Sequence, residues 1–186
     1  MKKPTFIILL LLSVIVLSCK NEANKEKLLA QNETALNTVQ DEMLVGKISR
    51  LQLENNPYKE WFIENYKEYQ TDSAEVKKIN ELLTDVKITT FMGTWCGDSQ
   101  REVPAFYKII DQAEMNFENV SLIAVKRDKT TPLSLEKGLD ITNVPTFIFT
   151  KDGKELGRIV EYPIETLEKD ILKILEGKPY SHAYAE

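Results

Sequence analysis

The order of elements in this chain predicts an α/β fold, with a mixed central sheet, helices on both faces and an N-terminal helical extension. Three observations carry the prediction. The β-branched, apolar run Val86 to Met92 leads through a loop into an amphipathic segment. A second such run covers Val120 to Val125. An Asp-Gly pair, Asp152-Gly153, then joins two further strand-like runs ahead of a last amphipathic segment.

The elements follow in chain order. Ser49 and Gln52 have capping-box spacing and open a short helix. Asn56-Pro57 resets the chain. Trp61, Phe62, Tyr66 and Tyr69 then share one face of a helix that packs on the domain. Asp72 caps a helix running to Leu83, with Val76, Ile79, Leu82 and Leu83 apolar. Val86 to Met92 is a buried strand. The loop Gly93-Thr94-Trp95-Cys96-Gly97-Asp98-Ser99 precedes a helix from about Ser99 to Ala113, kinked by Pro104. After the strand Val120 to Val125, Thr131-Pro132 begins a short helix that ends near Gly138. Thr146 to Thr150 and Glu155 to Val160 are strands of a hairpin. Pro163 to Glu176 is a terminal helix with Ile164, Leu167, Ile171 and Ile174 inward and Gly177 as its stop.

The N-terminus is read as an export signal. Lys2 and Lys3 precede an apolar run from Phe6 to Leu17, shorter than the roughly 20 residues of a membrane-spanning helix. The run ends in Val16-Leu17-Ser18-Cys19, which resembles the lipobox of bacterial lipoproteins. That resemblance implies acylation of Cys19, cleavage before it, and a chain anchored to a membrane of the bacterial cell envelope by lipid. The expected organisation is residues 1–19 signal peptide, 20–43 polar tether, 44–83 helical extension, 84–177 main domain and 178–186 polar tail.

Charge and cysteine count narrow the chemistry. Loss of residues 1–19 removes two lysines and no acid, moving the formal net charge from −5 to −7. An acidic chain without a basic patch has no electrostatic reason to bind nucleic acid. The single histidine, His182, lies in the polar tail, which argues against a histidine metal site or a Ser-His-Asp triad. No metal and no cofactor is expected, and the protein is expected to be a monomer. Of the two cysteines, lipidation would consume Cys19 and leave Cys96 as the one free thiol. Cys96 falls where a strand ends and a helix begins. There the helix dipole and free backbone N–H groups favour thiolate, while Asp98 opposes a second negative charge. Trp95 would shield one side of the sulfur. Polar neighbours set this cysteine apart from a buried one acting as a small hydrophobe.

Trp95-Cys96-Gly97-Asp98-Ser99 resembles the Trp-Cys-Gly-Pro-Cys motif of thioredoxins. Pro104 falls at the helix-kinking proline of that family, Val144-Pro145-Thr146 resembles its cis-proline loop, and Gly153 follows at the hairpin spacing. The match spans about residues 84–177, and the whole chain resembles the thioredoxin-like lipoproteins of bacterial envelopes. The resemblance implies a thioredoxin-like fold, Cys96 as the reacting thiol with Ser99 beside it, and a substrate groove at Trp95, Val144, Pro145 and Thr146.

The chain departs from the family pattern at four places. Ser99 stands at the resolving cysteine, Asp98 at the motif's proline, Thr90 at the buried acid that helps move a proton, and Glu161 at a glycine near the groove. A dithiol cycle is therefore closed to it. Single-cysteine exchange remains open, on exported proteins or small disulfides, with an external thiol reductant completing turnover. The competing reading is a redox-inactive binding module in which the cis-proline loop pairs with an extended peptide. A thiol peroxidase is disfavoured, because peroxiredoxins carry threonine where Gly93 stands.

Overall fold

The computed structural model describes residues 38–40, as backbone, and residues 43–185. The expectations for the signal peptide, Cys19 and most of the tether lie outside these residues. Six strands form one sheet in the order β1-β2-β4-β3-β5-β6. They are β1 (Thr38–Gln40), β2 (Met43–Ile48), β3 (Val86–Met92), β4 (Val120–Ala124), β5 (Thr146–Lys151) and β6 (Lys154–Val160). Among the described strands only β3 and β4 pair in parallel, with Thr90 opposite Leu122; the remaining pairs are antiparallel, so the sheet is mixed as expected. The helices are α1 (Arg50–Leu53), α2 (Lys59–Glu68), α3 (Ser73–Leu82), α4 (Gly97–Gln112) and α5 (Leu167–Leu175).

Strand β3 forms where the β-branched run placed it, because its side chains are buried on both faces of the sheet. Ile88 and Met92 face one core with Leu122, Phe147 and Phe149. Phe91 faces the other with Ile123 and Ile148. The first core is closed by helices: Phe106 of α4 meets Phe147 with ring centroids 4.6 Å apart, and Ile174 of α5 lies against Gly157. Phe62 of α2 and Ile79 of α3 are fully buried in the same cluster.

The aromatic segment packs on the domain through Phe62, while Trp61, Tyr66 and Tyr69 are partly buried against the core. Asp72 caps α3 by accepting from the amides of Ala74 and Glu75. Arg50 holds α1 against α4: its guanidinium donates to both Asp111 oxygens, at 2.7 and 2.8 Å. It also lies 5.0 Å from the Tyr107 ring centre, and burial pushes the Tyr107 hydroxyl up to about 12.

Four sequence expectations need correction. Residues 38–40 and 43–48, expected in the tether and helical extension, form β1 and β2, and β2 adds to the sheet by pairing Gly46 with Ala124. Leu44, Val45 and Ile48 are buried there. The helix expected from Thr131 is a series of turns. The Thr131 hydroxyl accepts from the Leu135 amide, the Glu136 carboxylate accepts from Thr131, and Ser134 and Gly138 adopt positive φ, so local polar groups replace a helical ladder.

The second face of the sheet is consequently covered, among the described residues, by Leu135, Leu139 and Ile141 of this irregular segment and not by helix. The terminal helix starts at Leu167, not Pro163. Thr166 caps it, and the buried Asp170 accepts from the amides of Ile164 and Glu165, which holds that stretch outside the helix. Ile164 is accordingly 51% exposed, not inward. The remaining turn expectation stands, with Asp152 and Gly153 both at positive φ in the β5–β6 hairpin.

Candidate active site

Helix α4 begins two residues earlier than the sequence suggested, which places Cys96 at its N-cap with extended φ −98° and ψ 123°. The Cys96 amide donates to Gly93 O at 3.0 Å and its carbonyl accepts from Gln100 at 3.0 Å. The Gln100 side chain returns to the Thr94 carbonyl at 2.8 Å, tying the loop to the first turn. The half-buried sulfur therefore sits beside the free amides and positive end of a 16-residue helix. Across from it, Val144-Pro145 is cis, and Cys96 Sγ lies 3.2 Å from the Val144 carbonyl oxygen, to which the thiol donates.

The residues expected to line a groove lie around this contact. Trp95 packs against the Phe91 and Val144 cluster, donates its indole N–H to Val125 O at 2.9 Å, and covers Gly93 closely. A Cβ added at Gly93 would stand 2.6 Å from the indole. Pro145 and Thr146 are buried, and the Thr146 hydroxyl donates to Asn143 O at 2.7 Å. Glu161 adopts φ 66° and donates its amide to Pro145 O at 2.7 Å, so it borders the groove from the β6 side.

Two of the departures look different in three dimensions. Ser99 is fully buried, and its hydroxyl accepts from the Gly93 amide at 3.1 Å, a bond to backbone and not to the thiol. Asp98 is ion-paired with Arg101 at 2.8 Å, so its charge is countered within the first turn. Arg101 also reaches Glu102 at 2.7 Å. Burial raises the Glu102 carboxyl above its ordinary range, Arg101 opposes the rise and Asp98 adds to it. Thr90 is buried in β3, and its hydroxyl oxygen has no hydrogen-bond partner among the described residues.

A family model described as thioredoxin matches residues 48–172, well over half of the chain. The chain belongs to the thioredoxin family. Among thioredoxins of known sequence, it is 29% identical over 106 residues to thioredoxin H2 of Arabidopsis thaliana, covering 57% of this chain and 72% of that one. It is 27% identical over 114 residues to the mitochondrial thioredoxin-2 of Schizosaccharomyces pombe, covering 61% and 75%. Among solved structures, Fasciola hepatica thioredoxin is 28% identical, with a TM-score of 0.30 over 44% of this chain and 73% of that one. The thioredoxin-like fold and a family association with thiol–disulfide redox chemistry follow.

One site residue was missed by sequence reasoning. The Arg127 guanidinium stands 5.1 Å from the centre of the Trp95 ring. Thirty-odd residues separate the two in sequence, and no spacing rule joins them.

Proposed function

We propose that this thioredoxin-family protein carries out single-cysteine thiol–disulfide exchange through Cys96. The observation that carries the reading is the half-buried Cys96 sulfur at the start of α4, 3.2 Å from Val144 O beside Pro145. The Cys96 thiolate attacks one sulfur of a substrate disulfide. The substrate S–S bond breaks, a Cys96–substrate disulfide forms, and the departing thiolate takes up a proton. With serine at position 99 no internal thiol expels the substrate. An external thiol attacks the mixed disulfide, frees Cys96, and is itself oxidised. The cis-proline groove at Val144, Pro145 and Thr146, with Trp95 opposite, would hold the substrate chain by its backbone. The same reading anchors the protein in a bacterial cell envelope by a lipid on Cys19, supported by the short apolar run that ends at Ser18-Cys19.

Mass spectrometry after exposure to glutathione disulfide tests the chemistry. A thiol-releasable adduct on Cys96 is expected. Absence of any adduct, with peptide binding retained, would give the site to a redox-inactive binding module instead. Metabolic labelling with a fatty-acid probe tests the anchor, since Cys19→Ser should abolish the label.

A further inference from the structure

The chain is acidic as a whole, with 29 acids against 24 bases, yet the turn beside Trp95 is basic. Lys126, Arg127 and Lys129 occupy it with a single acid, Asp128. The turn is built: Lys126 donates its amide to Thr130 O at 3.0 Å, and Lys129 donates to Lys126 O at 2.9 Å. The Asp128 carboxylate is turned onto the Thr130 amide and hydroxyl, at 3.0 and 2.7 Å. Among the described residues none of the three cations has an ion-pair partner, whereas Arg50, Arg101 and Arg158 each have at least one. Arg127 is exposed and lies over the indole that borders Cys96. Cation–π stacking of this kind fixes a guanidinium in place while leaving its N–H fork open to a carboxylate. Asp98, the nearest acid on α4, is neutralised by Arg101. Glu161 borders the groove from the opposite side, at Pro145, so an anion would be received from the Trp95 side.

We propose that Arg127, positioned on Trp95, selects disulfides that carry a carboxylate next to the reacting sulfur. This rests on the reading of Cys96 as the nucleophile. The shared chemistry belongs to glutathione disulfides and to acidic peptide disulfides alike. The carboxylate pairs with the Arg127 fork, and the substrate sulfur is brought to Cys96 for thiol–disulfide exchange.

The test measures the rate of adduct formation on Cys96 with four disulfides in two pairs: glutathione disulfide against its ethyl-ester form, and an acidic peptide disulfide against its glutamine counterpart. Arg127→Gln should slow the carboxylate-bearing substrates roughly threefold to fivefold, the effect of one exposed charge pair, and leave the ester and glutamine forms unchanged. Arg127→Lys should keep part of the preference, and added salt should erase it in the parent. Slowing only glutathione or only the peptide would identify the source of the ligand.

Equal slowing of charged and uncharged forms, or none, overturns the proposal. A separate binding measurement covers failure of the chemistry itself: Trp95 fluorescence in a Trp61→Phe background, titrated with S-methylglutathione and with its diester. If no adduct forms with any disulfide, the nucleophile reading falls, and ester-sensitive binding lost in Arg127→Gln still upholds the anion site. Equal binding of acid and diester, or no binding, overturns it.

Discussion

The side-chain amide of Asn65 donates to the carbonyl of Gln100 at 3.1 Å, across from α2 to the first turn of α4. In an unbroken helix the Gln100 carbonyl would receive the amide of residue 104. That residue is Pro104, which has no N–H to give. Asn65 supplies the missing donor, so the segment N-terminal to the thioredoxin motif repairs the helix that carries Cys96. Asn65→Ala should therefore cost about 1–2 kcal/mol in urea denaturation. In a Pro104→Ala background the same change should cost less, because the helix then satisfies Gln100 itself. An undiminished cost in that double-mutant cycle would show that Asn65 acts through Trp61 O, its other partner at 2.9 Å.

Ser99→Cys should create a dithiol site. Positions 96 and 99 are the N-cap and third residue of α4, the two positions that a capping box joins by reciprocal side-chain-to-backbone bonds. On the proposed exchange, an internal thiol there would expel a substrate that the parent releases only to an external thiol. Insulin reduction with dithiothreitol present should rise on the order of tenfold. A folded variant that never forms an internal disulfide under mild oxidation would refute the adjacency.

Thr90→Val should stabilise the protein. The Thr90 hydroxyl is buried without a partner among the described residues, and an orphaned buried hydroxyl is a net cost. Replacing it with a methyl group of similar shape should gain about 1 kcal/mol in chemical denaturation. A loss would mean that the hydroxyl is satisfied in solution, for example by a bound water.

Gly93→Ala should displace Trp95. The new Cβ would meet the indole at 2.6 Å, far inside contact distance. We expect a loss of about 1–3 kcal/mol and, in a Trp61→Phe background, a shift in Trp95 emission as its bond to Val125 O breaks. Unchanged emission would show that the ring accommodates the methyl group without moving.

Glu102→Gln should gain on the parent as pH rises. Burial holds the folded Glu102 carboxyl above its ordinary value of 4.5, against the lowering effect of Arg101. The folded state therefore binds this proton more tightly than the unfolded state. The corresponding stability is complete at low pH and is lost as pH climbs through 4.5 towards the raised folded value. Glutamine does not titrate. Thermal melts from about pH 4 to about pH 7 should show the variant improving relative to the parent across that window. A gap independent of pH would remove Glu102 as the titrating group.

Much of this was legible because periodicity and turn chemistry agreed. Val86–Met92 showed β-branched apolar side chains, Asp152-Gly153 supplied the positive φ of a tight hairpin, and Asp72 offered a carboxylate to the first amides of its helix. Legibility failed where a side chain distant in sequence, or a competing local bond, decided the outcome. Gly46 and Lys47 interrupt the run Leu44 to Ile48, and only pairing with β4 makes it a strand. Thr131 and Glu136 hold backbone groups that a helix would otherwise use. Asp170 reaches back to Ile164 and delays the terminal helix. At the site, the motif residues were readable one by one, whereas the Arg127–Trp95 stack exists only once β4 brings residue 125 alongside the loop.

The irregular cover on the second face of the sheet has a consequence for native-state dynamics. Residues 126–143 are tied to the rest of the domain by few side-chain bonds, Arg158 on the Leu139 carbonyl at 2.6 Å and Thr146 on the Asn143 carbonyl, beside the apolar contacts of Leu135, Leu139 and Ile141. No helical ladder makes their release cooperative with the helices on the opposite face. This stretch should open as its own unit, with amide hydrogen exchange faster than that of β3 or α4. Opening would uncover the Phe91 and Ile148 surface next to Trp95. The size of disulfide that Cys96 can reach would then depend on a local opening equilibrium, and two homologues of equal melting temperature could differ widely in the partners they accept.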